Sequence, residues 1–556
     1  MSAAPTSREL LVVELARRGK LVVGEPFFEA GTPVLIDRKG LADAGPGDLV
    51  AVRTGRGRAR LERVLGRADD IQAVLEGLLV QRELREPFEP YTPPEPSLDG
   101  RVDLRELLTF TIDPETAKDF DDAISARRER DAVRVWVHIA DVSWFVPAGS
   151  PLDRGAAGRS FSTYVPSRVA PMLPPELADD LCSLRPHLDR LCVTVEIAPD
   201  AEPSFYRSVI RSDARLAYGQ AEAILAGRER AEPALADALA LANSVSEGLR
   251  RKRFARGALR VESPEIQFAF DGHGGVERAW RESEPAAHAL IEELMIRANE
   301  AVAGLLAGRR REALYRVHER PDPQAVSLLL AKLAALEVPA PPKPERMSPA
   351  DAAALAAATS ARVMEYVEQS GRGREAFPAL VLRALKQARY DPANLGHSGL
   401  ASPAYCHFTS PIRRYPDLVV HRALLRELGA SDEPLPEDPA GLAAHCSERE
   451  REAADVEYLA DELCLAWLLD KVLFERGWDD PFSGEIVGLI GAGVFVRFGD
   501  VFEGFLPARK LAGWYDLDPT GTRLQGRHGG SYRLGDPIEV RVARIEKQSG
   551  KVELAP

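Results

Sequence analysis

Between Thr111 and Ala123 the chain reads TIDPETAKDFDDA, which places Asp113, Asp119, Asp121 and Asp122 within ten residues. Carboxylates so close resist ionising together unless a divalent cation supplies the opposite charge. Oxygen ligands at this density suit magnesium, with manganese as a substitute, and leave coordination positions free for water and phosphate oxygens. Asp121 and Asp122 would point to opposite faces of a regular strand, so a bend or strand end must bring both to one ion. Pro114 fixes its own φ and holds the turn after Asp113. A solvated acidic loop is the alternative reading. An EF-hand is excluded because its glycine and terminal glutamate are missing at their spacing, and DFDDA lacks the threonine that follows the acidic pair of an aspartyl nucleophile.

A second chemical signal is HFTSPIRRYPDLVVHR (407–422). Ser410 can cap a helix with Pro411 at its first position, which would put Arg413 in the first turn beside free backbone N–H groups, a good place for phosphate. On such a helix Arg413, Asp417 and His421 recur every four residues, so a structural Arg413–Asp417 ion pair is an equal reading. The helical stretch CSEREREAADVEYLADELCLAWL (446–468) carries Glu457 among many surface acids, and the residues alone make it an ordinary helix-face side chain.

Elements to position these groups follow from the hydrophobic patterning. After a short amphipathic start (Arg8 to Arg18), the strands TPVLIDR, GDLVAVRTG and RARLERVLG and a helix near Ile71 to Glu86 predict a small barrel or a winged-helix-like module. EPFEPYTPPEPSL, with five prolines in thirteen residues, is a linker ending near residue 98. From there to about 478 no comparable boundary occurs. Strands at Val133 to Ile139 and Leu191 to Ile197 precede helices at Tyr218 to Ala242, Ala286 to Ala307, Arg362 to Ser370, Asp417 to Leu428 and Ala443 to Phe474, with PPKPERMSP (341–349) as a surface loop. SGEIVGLI, GVFVRF, EGFLP, PIEVRVARIE and KVEL then predict a five-stranded barrel of the oligonucleotide/oligosaccharide-binding fold. The expected architecture is multidomain α+β, divided at 1–98, 99–478 and 479–556.

With 45% hydrophobic and 28% charged residues over 556, the chain is globular, which excludes wholesale disorder and collagen-like structure. No apolar run is long enough to span a membrane, and MSAAPTSREL has no secretory pattern. Five scattered cysteines without a CxxC pair exclude a disulfide framework, a zinc ribbon and an iron–sulfur site, and point to a reducing cytoplasm. A net charge of −13 argues against a nonspecific DNA coat, although a local basic channel is compatible with it. From Pro481 onward ten Lys/Arg stand against nine Asp/Glu, and Phe495 and Phe498 can either stack on bases or fill the small barrel.

TIDPETAKDFDDA, VHIADVSWFV (137–146), SFSTYVPSRVAPMLPPELADDLCSLRP (160–186), YRVHERPDP (315–323) and HFTSPIRRYPDLVVHR, in this order, resemble the motifs of the ribonuclease II/R family, and the C-terminal barrel resembles the S1 domain that follows them. The resemblance implies an RNB-type catalytic domain and magnesium-dependent, processive 3′-to-5′ hydrolysis of single-stranded RNA to nucleoside 5′-monophosphates, by a cytoplasmic monomer. It makes Asp113, Asp119, Asp121 and Asp122 the metal-binding quartet, with Asp119 and Asp121 also serving cleavage. Arg413 would lie against the scissile phosphate with Arg414 beside it, Tyr164 would stack on the 3′-terminal base, and Glu457 would lie near the terminal nucleotide. Phe495 and Phe498 would meet RNA in the barrel. The chain departs from the family in having room for only one N-terminal module, and in Pro321 where relatives carry a second stacking phenylalanine. A catalytically weak RNA-binding or regulatory protein of the same fold is the alternative; the complete quartet with Arg413 favours the enzyme.

Overall fold

The computed structural model describes residues 10–556 apart from 20, 38–40, 42, 43, 56, 199, 200, 261–264, 282–284 and 528. Residues 1–9, with Arg8 of the amphipathic start, lie outside the described residues. That start is itself a strand, Leu10–Arg18, at the centre of a five-stranded antiparallel sheet with Leu21–Pro26, Val34–Leu35, Asp48–Arg53 and Arg60–Arg67. Its alternation buries Val13 and Leu15 on one side, and a single parallel bridge from Ile36 to Ala59 joins the sheet edges around them. The module is a small curled barrel and not a winged helix. Its opposite side packs on the helix Ile71–Gln81, capped by the Asp70 side chain on Gln72 N–H.

A seven-stranded mixed sheet organises the middle of the chain. Its spatial order is Ala214–Ala217, Phe110–Asp113, Asp122–Glu129, Ala132–Ala140, Asp189–Ile197, Ser204–Arg211 and Val102–Asp103. Val135, Val137 and Ile139 alternate onto one face, where they join Val193 and Val195 beneath the helices Pro233–Ala255 and Pro285–Gly308. The other face holds a buried hydrogen-bonded ladder, Thr109–Ser125–His138–Thr194–Ser208, with links of 2.6–3.1 Å. Each member satisfies the next, so the polar row is tolerated inside the core.

Three helix expectations are corrected. The segment from Tyr218 is two helices, Tyr218–Leu225 and Pro233–Ala255, because Gly227 turns into the left-handed region and Glu232 caps a new start. The helix ending at Ser370 begins at Pro349, fixed by a Ser348–Asp351 capping box. The helix expected from Pro411 begins at Tyr415. The proline-rich stretch has no regular structure but is tied down: Trp144 Nε1 donates to Glu95 O and Arg159 stacks over Phe88.

The last helix of the middle region, Pro439–Arg476, is 38 residues long. Its second half shares one apolar core with the N-terminal helix and with the C-terminal barrel. That barrel is closed by Phe482–Ile490, Gly493–Phe498, Phe502–Pro507, Pro537–Glu546 and Lys551–Ala555, and carries an additional three-stranded sheet within residues 515–533. Among the described residues no helix is long and apolar enough to cross a membrane, and the five cysteines are free and buried.

The barrel overturns one expected RNA contact. Phe498 is sealed in the interior, 1% exposed, between the Phe482 and Phe502 rings, whereas Phe495 is half-buried and packs against Phe505. Phe498→Ala is therefore expected to destabilise the barrel by about 3–5 kcal/mol. Amide exchange should accelerate strongly across Phe482–Ile490 and Gly493–Phe498 in that variant and change little in Phe495→Ala. Equal behaviour of the two would contradict the assignment.

Candidate active site

The four aspartates occupy the junction of two neighbouring strands. Phe110–Asp113 ends on the first, and Asp122–Glu129 begins on the last. Asp121 precedes the strand, its carbonyl accepting from Ala140 N–H, so the adjacent pair escapes the alternation that a continuous strand would impose. Pro114 O closes the turn by accepting from Ala117 N–H at 3.0 Å. Ser183 Oγ ties the other end, accepting from Phe120 N–H and donating to Lys118 O. Arg215 also donates to Pro114 O and Glu115 O. Neither Ser183 nor Arg215 carries a local sequence signal, because each reaches the loop only through the tertiary fold.

The second motif meets this loop directly. Ile412 N–H donates to Asp121 Oδ1 at 2.8 Å, and Arg413 Nε stands 3.6 Å from Asp121 Oδ2. Arg413 lies before the helix and not in its first turn. The reason is Asp417, fully buried, which accepts from Ser410 N–H and takes Arg414 in a two-pronged pair at 2.8 and 3.0 Å. The ion pair is thus made by Arg414, and Arg413, whose side chain is 48% exposed, is left facing the carboxylates. Arg414, expected at substrate, is committed to Asp417. His421 is buried, its Nε2 donating to Phe408 O and its ring stacked on that of Phe408, so it belongs to the support of the motif.

Tyr164 arrives on a short hairpin, Thr163–Val165 with Arg168–Ala170. Ser162 N–H donates to Arg413 O and Tyr415 N–H to Ser160 O, which fixes the hairpin base to the arginine motif. The Tyr164 hydroxyl donates to Asp119 Oδ2 at 2.5 Å, and its backbone N–H donates to Glu457 Oε1 at 2.7 Å. Asp119, Asp121, Arg413, Tyr164 and Glu457 are consequently one connected constellation drawn from four chain segments. Phe495 and Phe498 are elsewhere, in the barrel.

Electrostatically the site is short of positive charge. Burial, with the neighbouring Asp122 charge next, pushes Asp113 up to about 7. Burial pushes Asp122 up to about 6 against the pull of Arg413 and Arg414, and raises Asp121 well above the carboxylate range although Arg413 opposes it. Asp113 Oδ2 and Asp121 Oδ2 are buried without a hydrogen-bond partner. Among the described residues no three His, Cys, Asp or Glu side chains are already closed around an ion position. Orphaned carboxylate oxygens and mutually repelling acids nonetheless fit a hard divalent cation, which would satisfy both.

The RNB domain matches residues 101–429. The chain is similar to Ribonuclease R of Escherichia coli (strain K12), 39% identical over 490 residues, which cover 83% of this chain and 58% of that protein. It is also similar to Ribonuclease R of Vibrio parahaemolyticus, 35% identical over 98% of this chain and 70% of that one. The chain therefore spans little more than half of the first relative's length. In three dimensions it resembles Mycoplasma genitalium RNase R in complex with ribose methylated single-stranded RNA, with a TM-score of 0.86 at 23% identity over 99% of this chain and 90% of that one.

The adjacent arginines should separate in their effect on stability. Arg414→Met leaves Asp417 buried without its partner and is expected to cost about 3–5 kcal/mol. Arg413→Met removes a half-exposed group and should cost less than about 1 kcal/mol. Urea unfolding followed by tryptophan fluorescence measures both, and similar losses would refute the division of roles.

Proposed function

The chain belongs to the RNB-domain ribonuclease R family, and from that premise we propose that it hydrolyses single-stranded RNA processively from the 3′ end, releasing nucleoside 5′-monophosphates. The observation that carries this reading is the half-exposed Arg413 facing Asp121, whose Oδ2 is buried and unsatisfied, beside the Tyr164–Asp119 hydrogen bond. The reading describes a cytoplasmic monomer that takes RNA as its partner and magnesium as its metal, with manganese able to substitute. It divides the chain into an N-terminal barrel to residue 98, a catalytic domain to 478 and an RNA-holding barrel.

In this proposal Asp113 and Asp122 hold the metal, with Asp119 and Asp121 completing its surroundings. When bound, such an ion makes water a stronger nucleophile and stabilises the departing 3′-oxygen of the last phosphodiester. Asp121 orients the attacking water from a position fixed by Ile412 N–H. Arg413 complements the charge that builds on the phosphate, its backbone anchored by Ser162 N–H and its guanidinium facing Asp121. Tyr164 offers its ring to the terminal base while Asp119 and Glu457 hold its two polar ends.

A time course on 5′-labelled single-stranded RNA with magnesium tests the reading. Full-length RNA should give way to a short labelled end product with few intermediates, unlabelled nucleoside 5′-monophosphates should be released, and chelation should stop both. Internal fragments appearing first would contradict it. Asp121→Asn should slow single-turnover cleavage at least about 100-fold, the scale of one preorganised electrostatic contact. Filter binding should show RNA affinity within a few fold of wild type. Wild-type-like cleavage by this variant would remove Asp121 from the chemistry.

A further inference from the structure

The hairpin that carries Tyr164 has only three residues per strand, and a ribbon that small has no stability of its own. Its base is tied to Arg413 and its middle to Glu457. Its tip is gripped from outside the catalytic sheet, by the N-terminal helix Ile71–Gln81. Glu76 on that helix is 8% exposed and accepts from Arg168 of the hairpin at 3.0 Å, and it also pairs with Arg85 and Arg63 at 3.1 and 3.0 Å. Gln72, one turn earlier, accepts from Ser167 Oγ and Arg168 Nη2 while donating to Gly274 O. Arg85 closes the set by donating to Val169 O at 2.8 Å.

The apolar side of the hairpin follows the same allegiance. Val165 and Ala170 lie in the core cluster of Leu75, Leu78 and Leu79, not in the clusters beneath the central sheet. Burial pushes the Glu76 carboxyl up, but Arg85, Arg63 and Arg168 more than reverse it, so the grip stays charged. Arg168 pairs across the ribbon with Val165, and Val169 with Tyr164, so a shift at the tip reaches the tyrosine within one residue.

We infer that Glu76 is a positioning residue for the 3′-terminal nucleotide: through Arg168 it sets the Tyr164 hairpin, making the N-terminal barrel part of the grip on the RNA end. This rests on the proposed role of Tyr164 at the terminal base. Long RNAs have further contacts along the chain, so the effect falls on short ones, which depend on the stacked end.

Glu76→Gln, Arg168→Gln and the double variant test the inference. The first readout is fluorescence of a short RNA ending in 2-aminopurine, bound with chelator so that nothing is cleaved; Tyr164→Ala sets the unstacked level. The second is end-product length with magnesium. Each single variant should lose about half or more of the stacking quench and lengthen the end product by about one nucleotide or more, while saturated cleavage of long RNA stays within about threefold. Because the two residues act as one link, the double variant should be no worse than either single. Wild-type quench and end product in folded Glu76→Gln, or additive losses, would overturn the role. If Glu76→Gln does not fold, Arg168→Gln, which removes the hairpin's half of the pair and leaves Glu76 with Arg85 and Arg63, must show the loss of quench or the inference fails. A wild-type protein that does not shorten RNA would instead refute the proposed function, and the quench comparison would still decide Glu76.

Discussion

Asp113, Asp121 and Asp122 are carboxylates removed from water beside one another, and each such ion carries a desolvation penalty of roughly several kcal/mol. The fold sustains this by placing them at strand ends, where loop backbone can reach them. Ile412 N–H and Arg413 serve Asp121, and Arg215 holds the turn after Asp113. These partners relieve part of the repulsion and leave Asp113 Oδ2 and Asp121 Oδ2 unsatisfied. A protein that completed the compensation internally would be more stable and would have no use for a cation. The repulsion retained at this corner is what the proposed cation would relieve, and the surrounding contacts contain it without cancelling it.

Containment depends on giving neighbouring residues unlike tasks. Arg414 and Asp417 form a buried pair that also captures Ser410 N–H, so the turn 410–414 has one shape. Arg413 can then point outward, its carbonyl already used by Ser162. A regular helix starting at Pro411 would have spent the same backbone groups on its own ladder and carried Arg413 away from Asp121. Tyr164 is treated alike: both its polar ends are bonded, which leaves its ring as the part free to meet a ligand.

How much of this was legible depended on the range of the interactions involved. The acidic quartet, the strand end required by Asp121 and Asp122, and the five strands of the last barrel follow from spacing and alternation, which are local. The helix start at Tyr415 was misread because Ser410 and Pro411 supply a good local cap, while the competing partner, Asp417, acts through a turn that only tertiary packing fixes. Phe495 and Phe498, three positions apart on one strand, fall on opposite faces by alternation, but which face becomes the interior is decided by how the sheet closes. Glu457 was hidden for another reason. Its helix buries Ala443 and Cys446 in one core and Val456 to Leu473 in another, so the apolar stripe has no single direction to mark the face that meets Tyr164.

That wandering stripe also ties the N-terminal module to the rest of the chain. The N-terminal and C-terminal barrels have the same cyclic strand order, with the third and fifth strands parallel in each. Barrels of this size have small interiors; the C-terminal one extends its core onto the second half of the helix Pro439–Arg476, and the N-terminal one reaches the same apolar cluster through its outer face and the helix Ile71–Gln81. The helix that receives them also presents Glu457 to Tyr164. Packing that stabilises the two ends of the chain thereby fixes a contact in the middle of the site.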